Sequence, residues 1–390
     1  MATTAERYRA HQGTPLFAMG FRPFFLFGAL FAACALPLWI IGFHGWIPGI
    51  NRDWHVHEML FGYLGAVIAG FLLTAVPNWT GRLPVAGAPL AGLFALWVGG
   101  RVAMLLAAET PIAALIDVSF LVALAAIIAR EVIAGRNMRN LAVCVLLLLL
   151  AGANVLTHLG LLYPDLGALG VRIAIGVVAM LMALIGGRIT PSFTRNWMAK
   201  QKLTPEPVPT GRFDLAVLIV TAGGIASWLA APTAPLAGAA LLLAGALTAI
   251  RLTRWKGWRT GREPLVAILH LGYGWLALGL MLLGGSLLAP QWISGIAGVH
   301  ALTAGAFGVM TLAVMTRASR GHTGRPLAAG AGTQAIYALV NLGAALRVAS
   351  PFFPDAYIVL IIAAAVLWSA AFAGFVIAYA PSLLSVRRSA

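Results

Sequence analysis

Five of the eight histidines, a glutamate and an aspartate stand where an apolar chain would otherwise carry leucine. His55, His57 and Glu58 fall together in Trp54-His55-Val56-His57-Glu58-Met59, which runs straight into apolar sequence. His158, His270, His300 and Asp117 each interrupt an apolar stretch of their own. Neutral imidazole is a ligand for haem iron and copper, and a carboxylate beside it can carry a proton. Ionisable groups in such surroundings are costly and mark functional sites by default. These residue types offer metal ligation coupled to proton transfer: His55, His57, His158, His270 and His300 as ligands, Glu58 and Asp117 as proton carriers.

Each has a structural alternative. His270 and His300 could be interhelical hydrogen-bond donors, and His55 and His57 interfacial anchors beside Trp54. His11, His44 and His322 read as solvated or interfacial. His55 and His57 are two residues apart, about 200° on a helix, so they face opposite ways and suit two adjacent sites better than one ion. Asp53 is expected to cap their helix. Asp117 has no Arg partner evident in the sequence, so its protonated form is the one expected in lipid.

Other chemistries lack their motifs. There is no Gly-rich phosphate loop and no Ser-His-Asp elbow, and His57-Glu58 is followed by Met59-Leu60-Phe61, which excludes HExxH. Cys34 and Cys144 form no CxxC or CxxCH, so covalent haem attachment is excluded; both read as small apolar residues.

The elements that must position these residues are membrane helices. The chain is 61% hydrophobic and 9% charged, against roughly 25% charged in soluble domains. The expected fold is all-α, a polytopic bundle of about twelve spans with both termini cytoplasmic. The spans fall near 24–43, 56–77, 86–107, 111–133, 139–161, 169–188, 213–231, 234–251, 264–285, 292–316, 331–350 and 356–379. One membrane domain, 1–390, is expected, its six-span halves 1–188 and 213–390 joined by a basic, Pro-rich cytoplasmic loop, 189–212. No cleavable signal peptide is evident, so the first span is expected to direct insertion.

The net charge of +15 is a topology signal. With the N-terminus inside, alternation of the spans puts all but four of the 26 Lys and Arg on the cytoplasmic side. The expected partner of this charge is a bilayer with anionic head groups, not nucleic acid. The four exceptions, Arg52, Arg101, Arg172 and Arg347, map to outer span ends. They read either as snorkelling side chains or as partners for carboxylates such as haem propionates. In span 10, Gly305 and Gly308 form a small-residue stripe that could admit a flat macrocycle or another helix.

The motifs together resemble one family. They are Gly20-Phe21-Arg22-Pro23-Phe24-Phe25, Trp54-His55-Val56-His57-Glu58-Met59 and Ala75-Val76-Pro77-Asn78-Trp79-Thr80-Gly81-Arg82. Gly186-Gly187-Arg188-Ile189-Thr190-Pro191-Ser192-Phe193-Thr194-Arg195-Asn196, His270-Leu271-Gly272-Tyr273, His300-Ala301-Leu302-Thr303, Met315-Thr316-Arg317 and Gly321-His322-Thr323-Gly324-Arg325-Pro326 complete the set. The chain resembles the NnrS family over essentially its whole length. That resemblance implies a bacterial inner-membrane protein containing haem and copper, with a role in nitric oxide metabolism or resistance. A weaker, topological resemblance is to the haem–copper oxidases, with histidines in spans 2 and 10. The chain departs from that pattern: spans 6 and 7 lack histidine, and the His-x-His lies in span 2.

The expected function is therefore a nitric oxide-metabolising oxidoreductase with haem b and copper. Its ligands would come from His55, His57, His300, His158 and His270, with Arg52, Arg101, Arg172 and Arg347 on propionates. Its electron donor is unidentified, quinol being one candidate. The alternative is a transporter or non-catalytic binder of haem, metal or an iron–nitrosyl species.

Overall fold

The computed structural model describes residues 13–386. Arg7, Arg9, His11, Arg387 and Arg388 lie outside the described residues. Twelve helices are long and apolar enough to cross a membrane, and no strand occurs among the described residues. They are α1 (Phe21–Phe43), α2 (Arg52–Thr80), α3 (Ala88–Leu106), α4 (Pro111–Ala134), α5 (Met138–Leu159) and α6 (Pro164–Lys200). The second six are α7 (Arg212–Ala230), α8 (Pro235–Thr253), α9 (Pro264–Leu288), α10 (Gly295–His322), α11 (Ala331–Phe352) and α12 (Pro354–Leu384). The chain is a multi-pass membrane protein. A helix satisfies its backbone groups internally, without water.

Local sequence sets the helix ends. Proline sits in the first turn of α3, α4, α8 and α9, where its missing N–H costs nothing. Asn51, not Asp53, caps α2: its extended backbone lets Oδ1 accept from the Trp54 N–H at 2.9 Å. Threonines inside the helices turn their hydroxyls back to the preceding turn, as Thr74 does to the Gly70 carbonyl at 2.7 Å.

α6 runs beyond its expected end. The stretch from 189 onward was expected as loop, yet the helix continues to Lys200, leaving 201–211 as the connection. Thr194 donates to the Thr190 carbonyl at 2.8 Å within this stretch.

Three helices are not uniformly α-helical. α2 widens to a π turn over Glu58–Tyr63, α6 over Met182–Gly186 and α10 over Ala301–Phe307. Such turns are short and frequently mark functional positions. These three helices and α9 are the most enclosed, with 56–78% of their most apolar stretch buried against 33–44% for the other eight. The others turn leucine, isoleucine and valine outward, among them Leu106, Leu115, Leu148 and Ile219. That apolar exterior suits lipid.

The chain divides into two compact units. The first comprises Met1–Val177, Met315–Pro326 and Phe372–Ala390. In it α1 packs on α2, α2 and α3 on α4, and α4 on α5. The Arg22 guanidinium, fully buried at the start of α1, donates to the Leu383 and Ser385 carbonyls at 2.7 Å each and so ties the end of α12 to α1. The second unit comprises Val178–Val314 and Leu327–Ala371. In it α7 packs on α8, α8 on α9, and both α9 and α11 on the π turn of α10.

Candidate metal centre

In the first unit, four helices bring six polar side chains into one buried cluster. α2 supplies His57 and Glu58, α3 Arg101, α4 Asp117, and α5 Asn154 and His158. Asn154 and His158 are one helical turn apart and meet Asp117 side by side: Asn154 Nδ2 donates to Asp117 Oδ2 at 2.7 Å, and His158 Nε2 lies 3.0 Å from the same oxygen. Arg101 bridges the carboxylates, with Nη1 on Glu58 Oε1 at 2.5 Å and Nη2 on Asp117 Oδ1. This corrects two expectations. Asp117 has an Arg partner, and Arg101 is a buried counter-ion rather than a snorkelling or propionate-facing side chain. Gly62 makes room for it, since a Cβ there would strike the guanidinium and lie 3.0 Å from Glu58 Oε2.

His57 is the pivot. Its Nδ1 faces Glu58 Oε1 at 3.0 Å, while Nε2 faces Asn154 Oδ1 at 3.0 Å and Asp117 Oδ2 at 3.1 Å. Every partner is an oxygen. A neutral imidazole has one N–H to offer, so oxygens on both sides call either for a second proton on the ring or for another cation on one side. Charge counting agrees: two carboxylates around one guanidinium leave a formal excess of one negative charge when the imidazoles are neutral. Buried charge of this kind needs compensation.

A metal ion fits that requirement. Ligand atoms of His57, Asp117 and His158 lie within 4.8 Å of one another. Two ligands at about 2.1 Å from an ion and at right angles are about 3 Å apart, the separation Asp117 Oδ2 keeps from each Nε2. Two imidazoles and a carboxylate suit iron(II), copper(II) or zinc. Glu58 stands behind His57, where a carboxylate would orient the imidazole if it held a metal. Its Oε2 is buried and has no hydrogen-bond partner among the described residues.

The remaining candidates are dispersed. His55 points away from His57, as their spacing predicts, and stacks on Trp39 with ring centroids 4.3 Å apart. In the second unit, His270 Nε2 is 2.7 Å from the Thr194 hydroxyl, which spends its own proton on Thr190. His270 therefore donates, and its Nδ1 is buried without a hydrogen bond. His300 stands before the π turn of α10 with Nδ1 2.9 Å from the Ile296 carbonyl. A carbonyl only accepts, so Nδ1 carries a proton. The stripe beyond it holds no open face: Cβ atoms on Gly305 and Gly308 would each sit 2.7 Å from the indoles of Trp275 and Trp368. Arg52 is exposed, Arg347 donates to Ser350 Oγ at 2.9 Å, and Arg172 is half-buried with Nε lacking a hydrogen bond.

Sequence reasoning passed over Asn154 and Trp97. A carboxamide one turn before His158 in a leucine-rich span was the available signal for the first. Trp97, whose indole donates to the Gly62 carbonyl at 2.9 Å, carried no signal beyond its apolar surroundings.

Among known families, residues 15–387 match the family model described as NnrS protein, nearly the full chain and the family that the motifs resemble. No curated protein matches the chain.

Proposed function

The chain belongs to the NnrS family, and from that membership we propose that it handles nitric oxide in the bacterial inner membrane through a metal ion held by His57, Asp117 and His158. The observation that carries this reading is the oxygen-lined His57 ring beside a second imidazole, both on Asp117 Oδ2. The family gives a role in nitric oxide metabolism; the metal and the reaction are our reading.

A redox metal held there by His57, Asp117 and His158, copper or iron, would bind nitric oxide and pass it an electron. The chain's own residues do the rest. Glu58 accepts from His57 Nδ1 and so fixes Nε2 toward Asp117. Arg101 on Oδ1 and Asn154 on Oδ2 fix the orientation of the Asp117 carboxylate, which turns Oδ2 toward both imidazoles. Glu58 Oε2 can hold an incoming proton, and burial keeps bulk water out. Nitric oxide is small, neutral and lipid-soluble, so it needs no polar channel. Reduction of two molecules to nitrous oxide and water consumes two electrons and two protons, the electrons coming from a donor of the quinol class. Haem b belongs to the same proposal: His300 would be the candidate residue to hold it, and Arg52, Arg172 and Arg347 would be candidate partners for its propionates. The indoles of Trp275 and Trp368 lie against the glycine face of α10, which favours helix packing for that face.

The test is metal and haem analysis of the purified protein with a reduced-minus-oxidised spectrum, repeated after nitric oxide addition. Bound transition metal and a nitric oxide-dependent spectral change are expected, and Asp117→Asn should lose the metal. A folded protein with neither metal nor haem overturns the reading.

A further inference from the structure

All three π turns among the described residues share one feature: a carbonyl within the turn accepts a hydrogen bond from a side chain on a neighbouring helix. Gly62 O accepts from Trp97 Nε1 at 2.9 Å. Ala183 O accepts from Arg251 Nη1 at 3.0 Å and Tyr273 Oη at 3.4 Å. Ala304 O accepts from Trp368 Nε1 at 3.2 Å. A widened turn disrupts the regular ladder of backbone bonds, and buried backbone groups need partners. A donor from outside the helix favours the widened turn over the regular one.

The turn in α2 has consequences for the cluster. A π turn carries one residue more than the α-helix it replaces, and each helical residue turns the chain by about 100°. The turn begins at Glu58, directly after His57. The register of this turn therefore decides where both side chains point relative to Leu64–Thr80, the part of α2 that packs against α1 and α4.

We propose that Trp97 is a positioning residue for the metal centre: its indole N–H holds the π turn of α2 in the register that aims His57 and Glu58 at Asp117 and Arg101. The placement of Trp97 is well fixed. It is 4% exposed and packed among Phe24, Phe31 and Phe94, with ring centroids 5.7–6.5 Å away. Arg101 follows one turn later on α3, so one helix face grips the π turn twice, through a carbonyl and through Glu58.

This inference rests on the metal-centre reading, and its test separates the two. Co(II) is titrated into metal-stripped full-length protein in detergent, and its visible bands report affinity and ligand geometry. Trp97→Phe keeps an aromatic ring and removes the donor. Roughly 10- to 100-fold weaker binding with altered bands is expected, the range typical of residues that orient ligands. Trp97→His, which restores a ring N–H, should recover part of the loss. If Trp97→Phe does not fold, the benzothienyl analogue of tryptophan at position 97 keeps the shape without the donor and should show the same loss. Unchanged affinity and bands in the folded donor-less variant overturn the proposal. Wild-type protein that binds no Co(II) overturns the metal centre, and this role of Trp97 with it.

Discussion

Arg101 is shared by two carboxylates, and that sharing sets the cost of touching either side of the cluster. Removing the guanidinium leaves Glu58 and Asp117 facing each other in a buried space. Breaking a buried pair by deleting one partner costs about 3–5 kcal/mol. Arg101→Met should therefore destabilise the protein by that order, while Asp117→Asn, which leaves Arg101 on Glu58, should cost less and abolish metal retention. Thermal unfolding in detergent and metal stoichiometry measure the two effects separately. At this scale the sequence was half legible. His57, His158, Glu58 and Asp117 stood out because ionisable groups are rare in apolar spans. Their pairing did not, because Arg101 is 43 residues from Glu58 and Asn154 is 97 from His57. Such contacts depend on how helices pack, which spacing along the chain does not encode. Arg101 was placed with three other outer arginines for the same reason, although it alone of the four enters this network.

The π turns belong to the scale of the helix. Gly62 lies inside the turn of α2, against the guanidinium and Glu58 Oε2. Gly62→Ala would push a methyl group into that contact. Overpacking of this kind costs about 1–3 kcal/mol, and weaker metal retention should accompany it, read by the same unfolding and metal assays. Hydropathy located all twelve spans from sequence, because about twenty apolar residues in a row have few other uses. It misplaced the end of α6, whose polar continuation lies outside any apolar window. No π turn was legible. A one-residue slip shows in sequence only when it shifts an amphipathic stripe, and α2, α6 and α10 are enclosed by other helices around most of their surface.

For the whole molecule, the charge pattern and the span count make one joint prediction about sidedness. The connection at 201–211 should face the cytoplasm and residues 289–294, between α9 and α10, the other side. With Cys34 and Cys144 replaced by Ala, Thr210→Cys should react with an impermeant maleimide only in inverted vesicles, and Gln291→Cys only in intact cells or right-side-out vesicles. The opposite pattern would overturn the orientation read from the basic residues. A different consequence follows from Arg22, which fastens the start of α1 to the last turn of α12. The order of the spans then closes on itself: an even number of crossings returns the chain to the side where it began, beside its own first helix. A circular permutant, with a short linker joining residue 386 to residue 13 and new ends opened within 201–211, should insert, fold and retain metal as the natural order does.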